Sequence, residues 1–131
     1  MFSTRLVDNR YYVPCVVLTE VPIVHSFIVD TGAKYTCCSY KSVDMKLREE
    51  DFVQAPKKVL GGIVSGAEIQ FYAYKCRQFT IGNISMGERI LWITFDRLAT
   101  DDVLGMDILQ DITFIGDGGT KEMRFEAVGI Q

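Results

Sequence analysis

At 131 residues, with 48% hydrophobic and 24% charged side chains, the chain has the composition of one globular domain, 1–131, and not of a disordered or fibrous protein. Its net charge of -3, with Lys57-Lys58 as the densest positive spot, argues against a nucleic-acid partner. No stretch approaches the ~20 apolar residues of a membrane span, and the start MFSTRLVDNRYY carries charges and lacks an apolar signal core.

Taken in chain order, YYVPCVVL (11–18) and IVHSFIV (23–29) are β-rich runs separated by the turn residues Thr19-Glu20-Val21-Pro22. Residues 37–40 are expected to continue as a strand, and SVDMKLREED (42–51) as a short exposed helix. PKKVLGGIVSGAEIQFYAY follows, two apolar stretches around a glycine-containing tip, which predicts a hairpin. Two further strands are expected at 78–84 and 90–95, joined across Ser85-Met86-Gly87-Glu88. VLGMDILQDI (103–112) has helical spacing after Gly105, and a last hairpin is built from ITFI, the turn GDGG and MRFEAV. The expected class is mostly β with one or two short helices.

The four cysteines Cys15, Cys37, Cys38 and Cys76 show no CxxC spacing, and the single histidine, His25, sits in an apolar run. A tetrahedral metal set is therefore not expected, nor is any cofactor. The cysteines read as free thiols in a reducing compartment, the cytoplasm, with Cys37-Cys38 as core residues. The start at Met1 suggests a separately made protein. His25 reads as a satisfied strand histidine. It is also the only base that a serine or cysteine nucleophile could use, and it stands five residues before Asp30 on the same expected strand. Hydrolytic acid–base chemistry would have to come from carboxylates.

FIVDTGA (27–33) offers one. A bare D-[ST]-G triplet arises by chance in roughly one chain in twenty of this length, and its plain reading is a turn closing a strand. At the end of an apolar strand the carboxylate is expected to be partly desolvated, with a hydroxyl to fix the loop and a glycine to let another backbone approach. Those are the needs of a site where two aspartates meet, share one proton and activate a water between them. The chain has one such triplet, so the second must come from a second copy.

FIVDTGA, PKKVLGGI (56–63) and DVLGMDIL (102–109) together, in this order and spacing, make the chain resemble the retropepsin family of single-domain, homodimeric aspartic peptidases. The resemblance covers residues from about 23 to 112, and the C-terminal hairpin is also common in bacterial and transposon-type relatives. It implies a closed β-barrel monomer with a flap hairpin, paired as a homodimer that cleaves peptide or protein substrates without metal or cofactor. It makes Asp30 the catalytic aspartate, Thr31 the residue that holds the counterpart loop, and Gly32 a substrate-binding carbonyl. Ala33 would adjoin the substrate, Gly61-Gly62-Ile63 would form the flap tip over it, and Val103 and Leu104 would wall apolar subsites. Gly105 would let the chain pass tightly behind the catalytic loop. The pattern departs from retroviral members at Lys34 and Met106, where an aspartate and an arginine would pair; both ends are replaced together, so no buried charge is left unmatched. The flap sequence Val64-Ser65-Gly66 is less glycine-rich than a retroviral tip, which suggests a stiffer flap. The other reading is a catalytically silent member of the same fold that dimerises or binds peptides. An actin-like phosphate-binding loop is set aside, because that fold needs several such loops and a far longer chain.

Overall fold

The computed structural model describes residues 2–43, 46–53, 58–64, 67–96 and 101–128. Twelve strands run in chain order as β1 (Phe2–Val7), β2 (Arg10–Leu18), β3 (Pro22–Val29), β4 (Cys37–Ser39), β5 (Lys58–Val64) and β6 (Ala67–Cys76). They continue as β7 (Phe79–Ile81), β8 (Ile84–Ser85), β9 (Arg89–Thr94), β10 (Val103–Leu104), β11 (Ile112–Asp117) and β12 (Glu122–Ala127). Among the described residues one α-helical turn, α1 (Met106–Leu109), is found, between β10 and β11.

The strands form one sheet in the order β11-β12-β1-β2-β3-β10-β4-β9-β6-β5, with β7 and β8 branching from β2. The expected closed barrel is not formed. Among the described residues β11 pairs with β12 alone and β5 with β6 alone, so the path ends in two strands each without a partner there along one side. Along β2 the alternation is regular: Val13, Cys15 and Val17 are buried and their neighbours are half-exposed. The same core includes Phe27, Tyr74, Phe79, Ile81, Leu91, Ile93, Leu104, Ile108, Leu109 and Phe125. Each such side chain contributes roughly 1.5–3 kcal/mol of hydrophobic stabilisation on full burial.

Most pairings are antiparallel, but β10 runs parallel to β3 and β4 parallel to β9. β10 therefore lies between β3 and β4, the two strands that flank residues 30–36. The connecting loop has to arch over the end of β10. That topology positions the site.

Several local expectations change. The helix expected over 42–51 is replaced by two 3-10 turns, Tyr40–Val43 and Glu49–Asp51, with 44 and 45 outside the described residues. Asp51 is buried there and takes Arg77 at 3.1 Å, so this stretch is held by a tertiary ion pair instead of an amphipathic stripe. The strand expected over 78–84 breaks into β7 and β8 at Gly82, whose φ of 59° only glycine adopts readily. β1 was not expected: no residue in it is fully buried, so its apolar alternation is faint. The helix after Gly105 ends at Leu109, short of Ile112, where β11 begins.

Candidate active site

Asp30 follows directly on β3. Its amide donates to the Leu104 carbonyl at 3.1 Å, and the Ala33 amide returns to the Asp30 carbonyl at 3.1 Å, closing a tight turn. Within the turn, the Gly32 amide donates to Asp30 Oδ1 at 2.9 Å. The carboxylate is thereby oriented by its own loop. Asp30, Thr31 and Gly32 are all exposed, in contrast to the partly desolvated position expected from the apolar strand before them. Of the apolar residues of β3, Phe27 is buried in the core and Val29 packs against it, while Val24 faces solvent; the turn that follows is exposed.

Behind this turn stands a bracket that the sequence reading missed. The Met106 amide donates to the Ala33 carbonyl at 2.8 Å and the Asp107 amide to that of Lys34 at 3.2 Å. Asp107 accepts from the Thr36 hydroxyl at 2.7 Å and the Thr36 amide at 3.0 Å, while Thr36 Oγ1 accepts the Gly105 amide at 2.9 Å. Both ends of the loop are thus fastened to the start of α1. Gly105 is forced to be glycine here, because a Cβ would lie 2.5 Å from the Tyr35 carbonyl carbon and 2.6 Å from its oxygen. The sequence held one clue to the bracket, a threonine six residues after Asp30 and an aspartate two residues after Gly105.

A second carboxylate secures the other side of β10. Asp102, buried, accepts from the Ser39 amide at 2.7 Å and from the Ser42 hydroxyl, and it meets His25 Nε2. The Asp102 carbonyl takes the Ile28 amide at 2.8 Å. His25 is therefore a satisfied strand histidine, as expected, and its partner joins β3, β4 and the 3-10 turn.

The other expected site residues fall as follows. Ala33 is half-buried beside the turn, and Val103 is half-buried on β10 opposite Ile28 and Cys37. Leu104 is fully buried in the core, so its side chain supports the loop from below and presents no surface for a ligand. Gly61, Gly62 and Ile63 lie on β5, with the register shift between Leu60 and Ile63 marking a bulge at the two glycines. They precede the hairpin tip instead of forming it, since Val64 still pairs with Ala67. The Ile63 side chain, together with Ser65, Gly66, Pro56 and Lys57, lies outside the described part of the structure. Lys34 is exposed and Met106 packs half-buried against the core, so the retroviral ion pair has no equivalent.

Cys15, Cys37, Cys38 and Cys76 are free thiols. Burial, with the Asp102 charge nearby, pushes the Cys37 thiol up to about 12, and burial alone raises Cys15 further. Among the described residues no group of histidine, cysteine or carboxylate side chains is arranged to hold a metal, and no helix is long and apolar enough to cross a membrane.

No family model and no curated protein matches the chain. Solved structures do. One of them is a retropepsin-like aspartic protease from Rickettsia conorii, similar over 93% of this chain and 95% of that one, with a TM-score of 0.66 and 16% sequence identity. At that identity the likeness is one of fold, and the fold of this chain is retropepsin-like.

Proposed function

We propose that the chain, 1–131, acts as an aspartic endopeptidase in a homodimer, with Asp30 of each copy forming the catalytic pair. One observation carries the reading: Asp30 is aimed by the Gly32 amide on an exposed turn that is braced from behind by Gly105, Thr36 and Asp107. A carboxylate so rigidly held yet so exposed suits a half-site that a second copy covers. The retropepsin-like fold supports it.

Two carboxylates at hydrogen-bond distance share one proton at moderate pH, because both cannot ionise together. The ionised one takes a proton from a water, which attacks the peptide carbonyl polarised by the protonated one. Thr31, exposed beside Asp30, would hold the counterpart turn, and the Gly32 and Ala33 backbone would bind the peptide. The substrate would lie as an extended strand between this turn and the β5–β6 hairpin, with Gly61, Gly62 and Ile63 covering it and Val103 lining a subsite. Neither metal nor cofactor enters the scheme, and free thiols suit the cytoplasm.

The test is peptide-library cleavage from about pH 3 to 8 with Asp30→Asn alongside. Wild type should cleave best at mildly acidic pH, and Asp30→Asn should lose at least ~1,000-fold in kcat. Equal cleavage by both proteins would sink the proposal. Peptide binding by both with turnover by neither would instead support a silent peptide-binding module.

A further inference from the structure

Lys34 is the one cationic side chain on the loop that carries Asp30, residues 30–36. Its backbone is fixed, since its carbonyl takes the Asp107 amide and the preceding carbonyl takes that of Met106. Its side chain is exposed, and the ammonium rests over the Tyr35 ring, 5.5 Å from the centroid. Tyr35 in turn packs edge-on against Trp92 of β9 at 5.6 Å. Among the described residues Lys34 joins no ion pair, as is also true of Lys46, Lys75 and Lys121; what sets it apart is its place on the loop that carries Asp30. The nearby Asp107 carboxylate is already engaged by Thr36, and that of Asp30 by the Gly32 amide. Among the described residues the Lys34 ammonium thus meets the Tyr35 ring and no carboxylate, and it stands open to solvent on the loop that carries Asp30.

We infer that Lys34 is a specificity-determining residue that selects peptides with a glutamate or aspartate two to four residues from the cleaved bond. The inference rests on the peptidase reading above. The spacing follows from the loop. The Asp30–Ala33 turn brings its ends within ~7 Å, and the next Cα adds at most ~3.8 Å. An extended peptide advances ~3.3 Å per residue, so Lys34 stands beside a substrate residue about three positions from the bond, give or take the reach of its side chain. Each copy of the chain contributes one Lys34, so an acidic residue is favoured on either side of that bond. In a chain with net charge -3, this local cation also counters the general repulsion of acidic substrates.

The experiment takes any peptide that the protein cleaves and places Glu or Gln at each position in turn, for wild type, Lys34→Gln and Lys34→Glu. Wild type should prefer Glu by about three- to tenfold in kcat/KM, mainly through KM, at a position two to four residues from the bond. The ratio should fall to near one in Lys34→Gln and invert toward Lys-containing peptides in Lys34→Glu. It should shrink between about 0.05 and 0.5 M salt, and fade below the ordinary glutamate pKa of ~4.3. Binding of the uncleaved peptides to Asp30→Asn should show the same preference. Cleavage with no Glu preference, or with one that Lys34→Gln leaves intact, overturns this inference and leaves the peptidase reading standing. A wild type that cleaves no peptide of an acidic-containing library overturns both.

Discussion

Replacing Thr36 by valine roughly preserves volume and removes the hydroxyl that accepts the Gly105 amide and donates to Asp107 Oδ1. Thr36 and Gly105 are buried, so the Gly105 amide would be left without a partner, whereas the half-buried Asp107 keeps the Thr36 amide. The expected cost is ~1–3 kcal/mol in denaturant unfolding, with Thr36→Ser recovering most of it. The same loss should reach catalysis, because the bracket sets where the Asp30 turn sits. Gly105→Ala is harsher in geometry: its Cβ would meet backbone at 2.5 Å, which no rotamer change relieves. It should cost about 1–3 kcal/mol and, by shifting the Asp30 turn by a fraction of an ångström to an ångström, lower kcat by up to ~100-fold. Cleavage assays on the folded variant, checked by circular dichroism, separate the two effects. A Gly105→Ala protein of unchanged stability and activity would show that the close passage behind Tyr35 is dispensable.

Among the elements, β10 is only two residues long, yet it joins β3 to β4 and is flanked by Asp102 and Asp107. Its short length is offset by those two carboxylates, which accept five donors from the surrounding segments. The C-terminal hairpin depends on a third. Asp117 Oδ1 accepts the Gly119 amide at 2.8 Å and the Thr120 amide at 3.2 Å across the β11–β12 turn. Those amides, Thr120 first and Gly119 second, hold the Asp117 carboxyl below its usual range. A depressed folded-state pKa means that this contribution is fully present above the unfolded carboxylate pKa of ~3.9 and is lost as pH falls through the lower folded value. Amide exchange at Gly119 and Thr120, corrected for intrinsic rate, should therefore accelerate as pH falls below about 4. In Asp117→Ala it should be fast at neutral pH as well, and protection that survives that substitution would assign the turn's order to the strands alone. The sheet order around these elements was not legible from local pattern. Strand periodicity marks that β3 and β10 exist, but not that a two-residue β10 passes between β3 and β4.

At the scale of the molecule, the proposed pair predicts a particular mixing curve. Heterodimers of wild type with Asp30→Asn have one ionisable Asp30, so an equal mixture should leave about a quarter of the dimers active when exchange is complete. Activity proportional to wild-type protein alone would mean that one chain suffices. Specific activity should also fall steeply on dilution through the dimer dissociation constant. The thiols provide an independent check on the packing. Burial keeps Cys15, Cys37 and Cys38 protonated well above neutral pH, so iodoacetamide at about pH 8 should label the native protein slowly and the unfolded protein at four sites. Rapid native labelling at Cys37 would indicate that β4 opens from β10.

The sequence by itself determined the class of fold and the location of the Asp30 turn, because both are written in short-range terms. The β-rich runs 11–18 and 23–29 mark strands, and Asp30-Thr31-Gly32 at the end of one marks a turn with a carboxylate. The glycines at 61, 62 and 105 were visible as well, but the sequence placed a hairpin tip at the first two, where the structure has a bulge, and the contact that Gly105 makes with Tyr35 is tertiary. Only the tertiary structure decided that the sheet is open, that Leu104 belongs to the core, and that Asp30 is exposed in the single chain. It also decided which carboxylates do the bracing. Thr36 and Asp107 are 71 residues apart, and Ser39 and Asp102 are 63 apart, so no periodicity links them; they meet because β10 crosses between β3 and β4.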